Sequence, residues 1–267
     1  MCIIAYAKQN VKFNANELIN CWNNNPDGAG VMWKDEKGVH IKKGLMTLND
    51  TLATVLALPK NTERVVHFRW ATDGEVNKSN CRPFAIGNEY NTDTITDWAF
   101  AHNGISKDYL TGASAKYSDT MRMSMELLQK QNGKLSKKVK VYLESTGSKF
   151  IFFNSNQDTV NIGVTVTSPD SAVLYSNYGY TDSGYGYDYG YDDWNGYDYS
   201  PIAVELVDED IIKANYADYL DDDQAKNWNL ESIIQAYNDD MKRSGIFAMY
   251  VKLQGDWYFI YDKADGY

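Results

Sequence analysis

Between Leu174 and Ser200 the chain changes character. The stretch YSNYGYTDSGYGYDYGYDDWNGYDY, which starts at Tyr175, holds nine tyrosines with Gly and Asp interspersed and almost no aliphatic residue. Such a composition removes too little apolar surface from water to offset the entropy of ordering the backbone. It reads as a flexible acidic linker or as a surface for weak, multivalent contacts. Cores are therefore confined to two foldable stretches, residues 1–173 and 201–267. The carboxylates of the linker do not follow the spacing of a calcium-binding loop.

The rest of the composition bounds the function. In a chain of 267 residues, 43% hydrophobic content supports one or two ordinary cores. A net charge of −10 without a Lys/Arg-rich stripe argues against a nucleic-acid surface, because a phosphate backbone needs a basic patch. The opening apolar run, Ile3 to Ala7, is too short for a secretory leader or a membrane span. Three cysteines, Cys2, Cys21 and Cys81, form no metal-ligand spacing, and their odd number suits a reducing cytoplasm. No metal, no cofactor, no nucleic acid and no membrane is expected, and no phosphate-binding loop or nucleotide fingerprint occurs.

Periodicity supplies the elements. Residues 2–8 read as a buried strand, and Asn14-Ala15-Asn16-Glu17 as a capping box that opens a helix through Leu18, Ile19 and Trp22. After the loop NNNPDGAG come strands near 30–33 and 39–43. Leu48, Leu52, Val55 and Leu56 follow with helical spacing, ended by the stretch from Pro59. VVHFRW and DWAFAH are strand-like, and each ends at residues that can do chemistry. Ser118 is the expected N-cap of a helix bearing Met121, Met125 and Leu128, and residues 136–145 form the next helix. KFIFFN, SNQD and VNIGVTV predict a hairpin. Beyond residue 200, PIAVELV predicts a strand, DEDIIKANYADYL and NLESIIQAYNDDMKR two helices, and IFAMYVKLQGDWYFIYD a hairpin around Gly255-Asp256.

Residue 2 is a cysteine. Once Met1 is removed, Cys2 carries both a thiol and a free α-amine, with unperturbed pKa values of about 8.5 and about 7.7 to 8.0. The amine can then take the thiol proton, directly or through water, near neutral pH. Attack on a carboxamide carbon builds charge on its oxygen. Asn103, through its side-chain amide, and Gly104, through its backbone N–H, are suited to hold that charge. Arg69 offers a planar fork for a carboxylate, and Asp119 a fixed anion for an ammonium group. Taken singly these residues are ordinary: HNG is a turn signal, Arg69 a salt-bridge arginine, and Asp119 a first-turn charge on a capped helix.

Together, the start MCIIAY, VVHFRWATDG at 65–74, AHNGI at 101–105 and the SDT helix start at 118–120 stand in a telling order. The chain resembles the glutaminase domain of class II glutamine amidotransferases over about residues 1–168. That resemblance implies an α+β chain built as an αββα four-layer sandwich of the N-terminal nucleophile hydrolase type. Residues 1–173 would form that domain, 174–200 the linker, and 201–267 a small C-terminal α+β module. It also implies that Cys2 is the nucleophile, with Asn103 and Gly104 as the oxyanion site. Arg69 and Asp119 would grip the two charged ends of glutamine, and Trp70 and Thr72 would line its pocket, supported by Asn80, Pro83 and Phe84. Two positions depart from the usual pattern. Asp73 stands where the family has His, and the NAHPH-type stretch reads Asn80-Cys81-Arg82-Pro83-Phe84.

The implied reaction converts glutamine through a Cys2 thioester to glutamate and ammonia. The chain shows no domain that would activate an ammonia acceptor, so a separate synthetase-type partner is expected, with protein contacts through the Tyr-rich segment and the C-terminal module. Two other readings remain open: hydrolysis of a γ-glutamyl amide without ammonia transfer, and an inactive fold kept for binding.

Overall fold

The computed structural model describes residues 1–181, 203–206, 229–244, 248–253 and 256–261. Contacts divide the chain into two units, Met1–Gly184 and Tyr185–Tyr267.

In chain order the first unit contains β1 (Ile3–Ala7), α1 (Ala15–Asn24), β2 (Ala29–Asp35), β3 (Gly38–Leu45), α2 (Leu48–Leu56), β4 (Arg64–Phe68), β5 (Phe84–Ala85), β6 (Asp93–Thr96) and β7 (Trp98–Asn103). It continues with α3 (Asp119–Met123), α4 (Lys137–Ser145), β8 (Lys149–Asn154), β9 (Gln157–Ile162), β10 (Val166–Thr167) and β11 (Leu174–Tyr175). They build a seven-stranded sheet, in the order β10-β11-β1-β4-β2-β3-β6, and a four-stranded sheet, β5-β7-β8-β9. The ladders within them are antiparallel, with Ile3 opposite Phe68 and Asn103 opposite Lys149.

Strand alternation explains how the sheets meet. Ile4 and Tyr6 of β1, Met32, Ile41 and Val65 cluster with Ala99, Ala101, Ile151 and Phe153 of the second sheet. The small residues of β7 let the sheets approach. Its alternate residues, Trp98 and Phe100, turn the other way with Phe150 and Phe152 to meet Met121, Met123, Leu128, Val139 and Leu143 of the α3 and α4 region. Met121 and Leu128 are core, as their helical spacing predicts; Met125 packs there partly buried, and Met123, off that face, is buried too. On the first sheet, α2 lies against β2, β3 and α1. By the same period of two, Cys2, His67 and Arg69 share the inward face with Ile4, Tyr6 and Val65.

Caps match the sequence in part. Asn14 accepts from the backbone N–H groups of Asn16 and Glu17, and Ser118 from that of Met121. The Glu17 carboxylate, however, does not close a capping box. It is buried and accepts from the hydroxyls of Ser168, Ser171 and Tyr175, because a desolvated carboxylate needs donors and the 168–175 loop supplies them. The helix opened by Ser118 also passes into a π-turn at Ser124–Leu128.

Residues expected to begin the linker are ordered into the first unit. Leu174 and Tyr175 pair with Tyr6 and Ala5, and Ser176 N–H donates to the Ile4 carbonyl. The remainder of that segment, 182–200, lies outside the described residues, as does the helix expected over 208–220.

In the second unit β12 (Ala203–Leu206), β14 (Asp256–Tyr261) and β13 (Ala248–Leu253) form an antiparallel sheet in that order, beside α5 (Leu230–Ser244). Leu253 opposite Asp256 gives the predicted hairpin. Ile233, Ile234 and Tyr250 form its small core.

Candidate active site

Cys2 sits at the outer end of β1, 5% exposed. Its Sγ lies 3.4 Å from both the Trp70 N–H and the Trp70 carbonyl, just past the end of β4, and 3.7 Å from Nη1 of Arg82. The Cys2 carbonyl accepts from the Asn177 side chain at 2.9 Å. The nucleophile candidate is thus held by the end of one strand, by the segment before β5, and by the residues after β11.

Asn103 ends β7 on the face that looks toward the first sheet, since Ala101 two residues earlier packs there. Its Nδ2 donates to Ser176 Oγ at 2.8 Å, and that hydroxyl also accepts from Ile4 N–H at 2.9 Å. One hydroxyl therefore ties Asn103 to β1, the strand that Cys2 precedes. Gly104 adopts φ of +152°, where a Cβ would stand 2.6 Å from Ser148 Cβ, so only glycine fits this turn.

Arg69 is fully buried. Its guanidinium donates to the carbonyls of Glu75 at 3.0 Å, Gly74 at 2.9 Å and Asp73 at 3.3 Å, so it braces the 73–75 turn. Asp119 is buried as well. It accepts from Ser106 N–H and Thr120 N–H, both at 2.6 Å, and faces Arg82 Nη2 at 3.5 Å. The structure brings Cys2, Trp70, Arg82 and Asp119 into one chain of contacts. Trp70 and Thr72 are exposed at the rim, with Trp70 44% accessible. Asn80 is buried and supports the site at second hand: its amide donates to the Glu75 and Lys116 carbonyls, and its oxygen accepts from Ser118 N–H.

The two departures have clear roles. Asp73 accepts from the N–H groups of Gly112 and Asp119, both at 2.7 Å, and from Thr111 N–H and Oγ1. Burial alone would raise its carboxyl, but the Thr111 hydroxyl and the Gly112, Thr111 and Asp119 amides outweigh it and hold it below the usual carboxylate range. Arg82 replaces a group of ordinary pKa near 6.5 by a permanent cation. Burial, and then the charge of Arg82, keep His67 and His102 neutral by pushing both well below the histidine range. His102 stacks on Phe150 at 4.5 Å, its Nδ1 sits 2.8 Å from Thr120 Oγ1, and its carbonyl is 3.0 Å from His67 Nε2.

Sequence reasoning did not find Ser176, Asn177 and Thr120. The first two lie in a stretch whose composition reads as linker, and the third reads only as part of a helix start. Five buried polar atoms here have no hydrogen-bond partner: Arg69 Nε, Arg82 Nε, His67 Nδ1, His102 Nε2 and Asn103 Oδ1. Buried polar groups are normally paired, so their concentration on the residues around Cys2 marks this region as the one prepared for polar chemistry. A cavity of about 600 Å³ between Ile86, Trp98, Gln129 and Asn154 is lined by none of these residues.

Residues 9–121 match the family described as glutamine amidotransferases class-II. Over this stretch the chain is similar to class II glutamine amidotransferases, the family that its sequence motifs resemble. The matched stretch contains Arg69, Trp70, Thr72, Asn103, Gly104 and Asp119, whereas Cys2, Ser176 and Asn177 lie outside it. Two solved structures are similar at 16% identity over 66% of this chain. One is titled as the allosteric regulatory enzyme of purine biosynthesis, with a TM-score of 0.42. The other is the glutamine phosphoribosylpyrophosphate amidotransferase from B. subtilis complexed with ADP and GMP, with a TM-score of 0.37. This chain spans 42% of the length of each. No helix among the described residues is long and apolar enough to cross a membrane.

Proposed function

We propose that this protein hydrolyses the side-chain amide of glutamine and delivers the ammonia to a separate acceptor-activating protein. The observation that carries the reading is the placement of Cys2 Sγ at the mouth of β1 and β4, beside the RWAT strand end and in contact with a buried cation. With Met1 removed, the α-amine of Cys2 takes the thiol proton and Sγ bonds to the amide carbon. Asn103 and the Gly104 N–H hold the oxyanion. As the carbon–nitrogen bond breaks, the nitrogen leaves as ammonia with the proton returned by the amine. Water then adds to the thioester, releases glutamate and restores the thiol.

Arg69 and Asp119 take the glutamine carboxylate and ammonium in this reading. Both are engaged by protein groups in the structure, so substrate must replace some of those contacts: the carbonyls of 73–75 on Arg69 and the Arg82 fork on Asp119. The exposed Trp70 and Thr72 adjoin the 73–75 turn, which in this reading is the segment that opens. Sequestration under such a turn keeps ammonia away from solvent.

Intact mass before and after treatment with a glutamine-like diazo-ketone tests the reading, together with ammonia release from glutamine. Loss of Met1, one adduct on Cys2, and ammonia release that Cys2→Ala abolishes are expected. Retained Met1 without an adduct would overturn it in favour of a binding role, and release only from a larger γ-glutamyl compound would change the substrate.

A further inference from the structure

We propose that Arg82 is the counter-ion of the Cys2 thiolate, a positioning residue that holds the nucleophile in its charged form before substrate arrives. The inference rests on Cys2 being the nucleophile, but not on which amide it attacks.

Arg82 is 4% exposed, and its guanidinium makes three contacts: Cys2 Sγ at 3.7 Å through Nη1, and Thr120 Oγ1 at 2.6 Å and Asp119 Oδ1 at 3.5 Å through Nη2. Only Asp119 carries a formal opposite charge, and it is reached at 3.5 Å, longer than a direct charge-assisted hydrogen bond, while also accepting from Ser106 and Thr120. A buried guanidinium with a distant, shared carboxylate and an unpartnered Nε retains uncompensated positive charge. Of the groups in direct contact with the guanidinium, the Cys2 sulfur beside Nη1 is the other one able to become an anion.

The backbone is built to keep Arg82 in place. Gly30 of β2 faces the Arg82 carbonyl so closely that a Cβ could not be accommodated, and that Cβ would also stand 2.6 Å from Lys43 Cβ. On the other side Thr120, whose own hydroxyl is 2.8 Å from His102 Nδ1, fixes the fork. The charged and titratable groups facing the pair are His67 on β4 and Arg69 just past it, Lys43 on β3, Cys81 next in sequence, His102 on β7 and Asp119 on α3. His67 and His102 are neutral, so neither competes as the cation.

In this arrangement the thiol proton leaves to solvent, or to the α-amine once Met1 is gone, and the guanidinium keeps its own protons throughout. The thiolate then accepts a charge-assisted hydrogen bond from Nη1.

The test uses the full chain and iodoacetamide, which needs no glutamine pocket: Cys2 Sγ bonds to the reagent's methylene as iodide leaves, and peptide mass spectrometry follows Cys2 across pH. Arg82→Gln should slow Cys2 labelling by about tenfold or more at pH 7 and move the midpoint of the pH profile up by about a unit, while Arg82→Lys retains most of the rate. An unchanged midpoint overturns the proposal, including the case of a rate lowered equally at every pH. Should Arg82→Gln not fold, Asp119→Asn decides: release of the guanidinium from its carboxylate predicts faster labelling and a lower midpoint, and no change in either overturns the proposal. Arg82-dependent labelling in a protein that releases no ammonia would sink the glutamine reading and leave this inference standing.

Discussion

Replacing Asp73 by Asn isolates what the departure from the family's histidine contributes. The carboxylate takes Asp119 N–H at 2.7 Å on Oδ1 and Gly112 N–H at 2.7 Å on Oδ2, with Thr111 N–H shared between the two oxygens. An asparagine has one acceptor oxygen. Whichever way the amide is turned, one of the two short backbone bonds faces an NH₂ group instead. Hydrogen bonds to a charged group contribute about 1.5 to 3 kcal/mol each, and the retained bonds weaken when the charge is removed. The expected cost is about 2 to 4 kcal/mol for opening this loop, or roughly 30- to 700-fold in its opening equilibrium. Amide hydrogen exchange at Thr111, Gly112 and Asp119 reads that opening directly, with strand β8 as the internal reference. Because the carboxyl is held below its ordinary range in the fold, its contribution is present above the unfolded value of about 3.8 and is lost as pH falls through the folded value. The Asp73→Asn effect should therefore persist at and above pH 3.8 and shrink only at more acidic pH. Protection unchanged within twofold at all three amides would refute the assignment of Asp73 as the clamp that joins the 111–112 loop to the start of α3.

Two further outcomes follow from the same geometry. Gly104→Ala adds a methyl into Ser148 at a backbone angle that L-residues avoid, so about 3 kcal/mol or more of stability should be lost, and with it the turn that presents the N–H proposed for the oxyanion; near-wild-type thermal unfolding and labelling would contradict that crowding. Lys43 is 3% exposed, donates to the Ser79 and Glu89 carbonyls, and is brought to about 7 chiefly by burial. The unfolded chain holds that proton up to the ordinary 10.5, so between the two values the unfolded state binds more protons and stability rises with pH. Relative to Lys43→Met, the full chain should gain up to about 1.4 kcal/mol per pH unit across that window, measured by urea unfolding; a flat difference would remove Lys43 as its source.

Much of this was legible in the residues. The apolar runs of β1, β4, β7 and β8, the Asn14 and Ser118 caps and the hairpin closing the second unit follow from period and capping chemistry, which act within a few residues. The chemistry-bearing turns were equally plain, since RWAT and HNG each end a strand. Arg69 was harder. Its sequence shows a guanidinium at a strand end, but the carbonyls of 73–75 become its partners only when that turn folds back over it. Glu17 shows the same limit. A Glu three residues after an N-cap has two uses, and the burial of this helix against the 168–175 loop selected the one that local sequence does not encode.

The sequence alone determined which groups were present and on which elements: a thiol at residue 2, an amide and a glycine after β7, a carboxylate at the start of α3, and an alternation that sends Cys2 and Asn103 toward one inter-sheet space. Tertiary structure decided the partners. Placing Arg82 against Cys2 and tying Ser176 to Asn103 spans 80 and 73 residues. Contacts of that length depend on sheet order and on the desolvation that sheet packing imposes, and neither leaves a periodic trace in the chain.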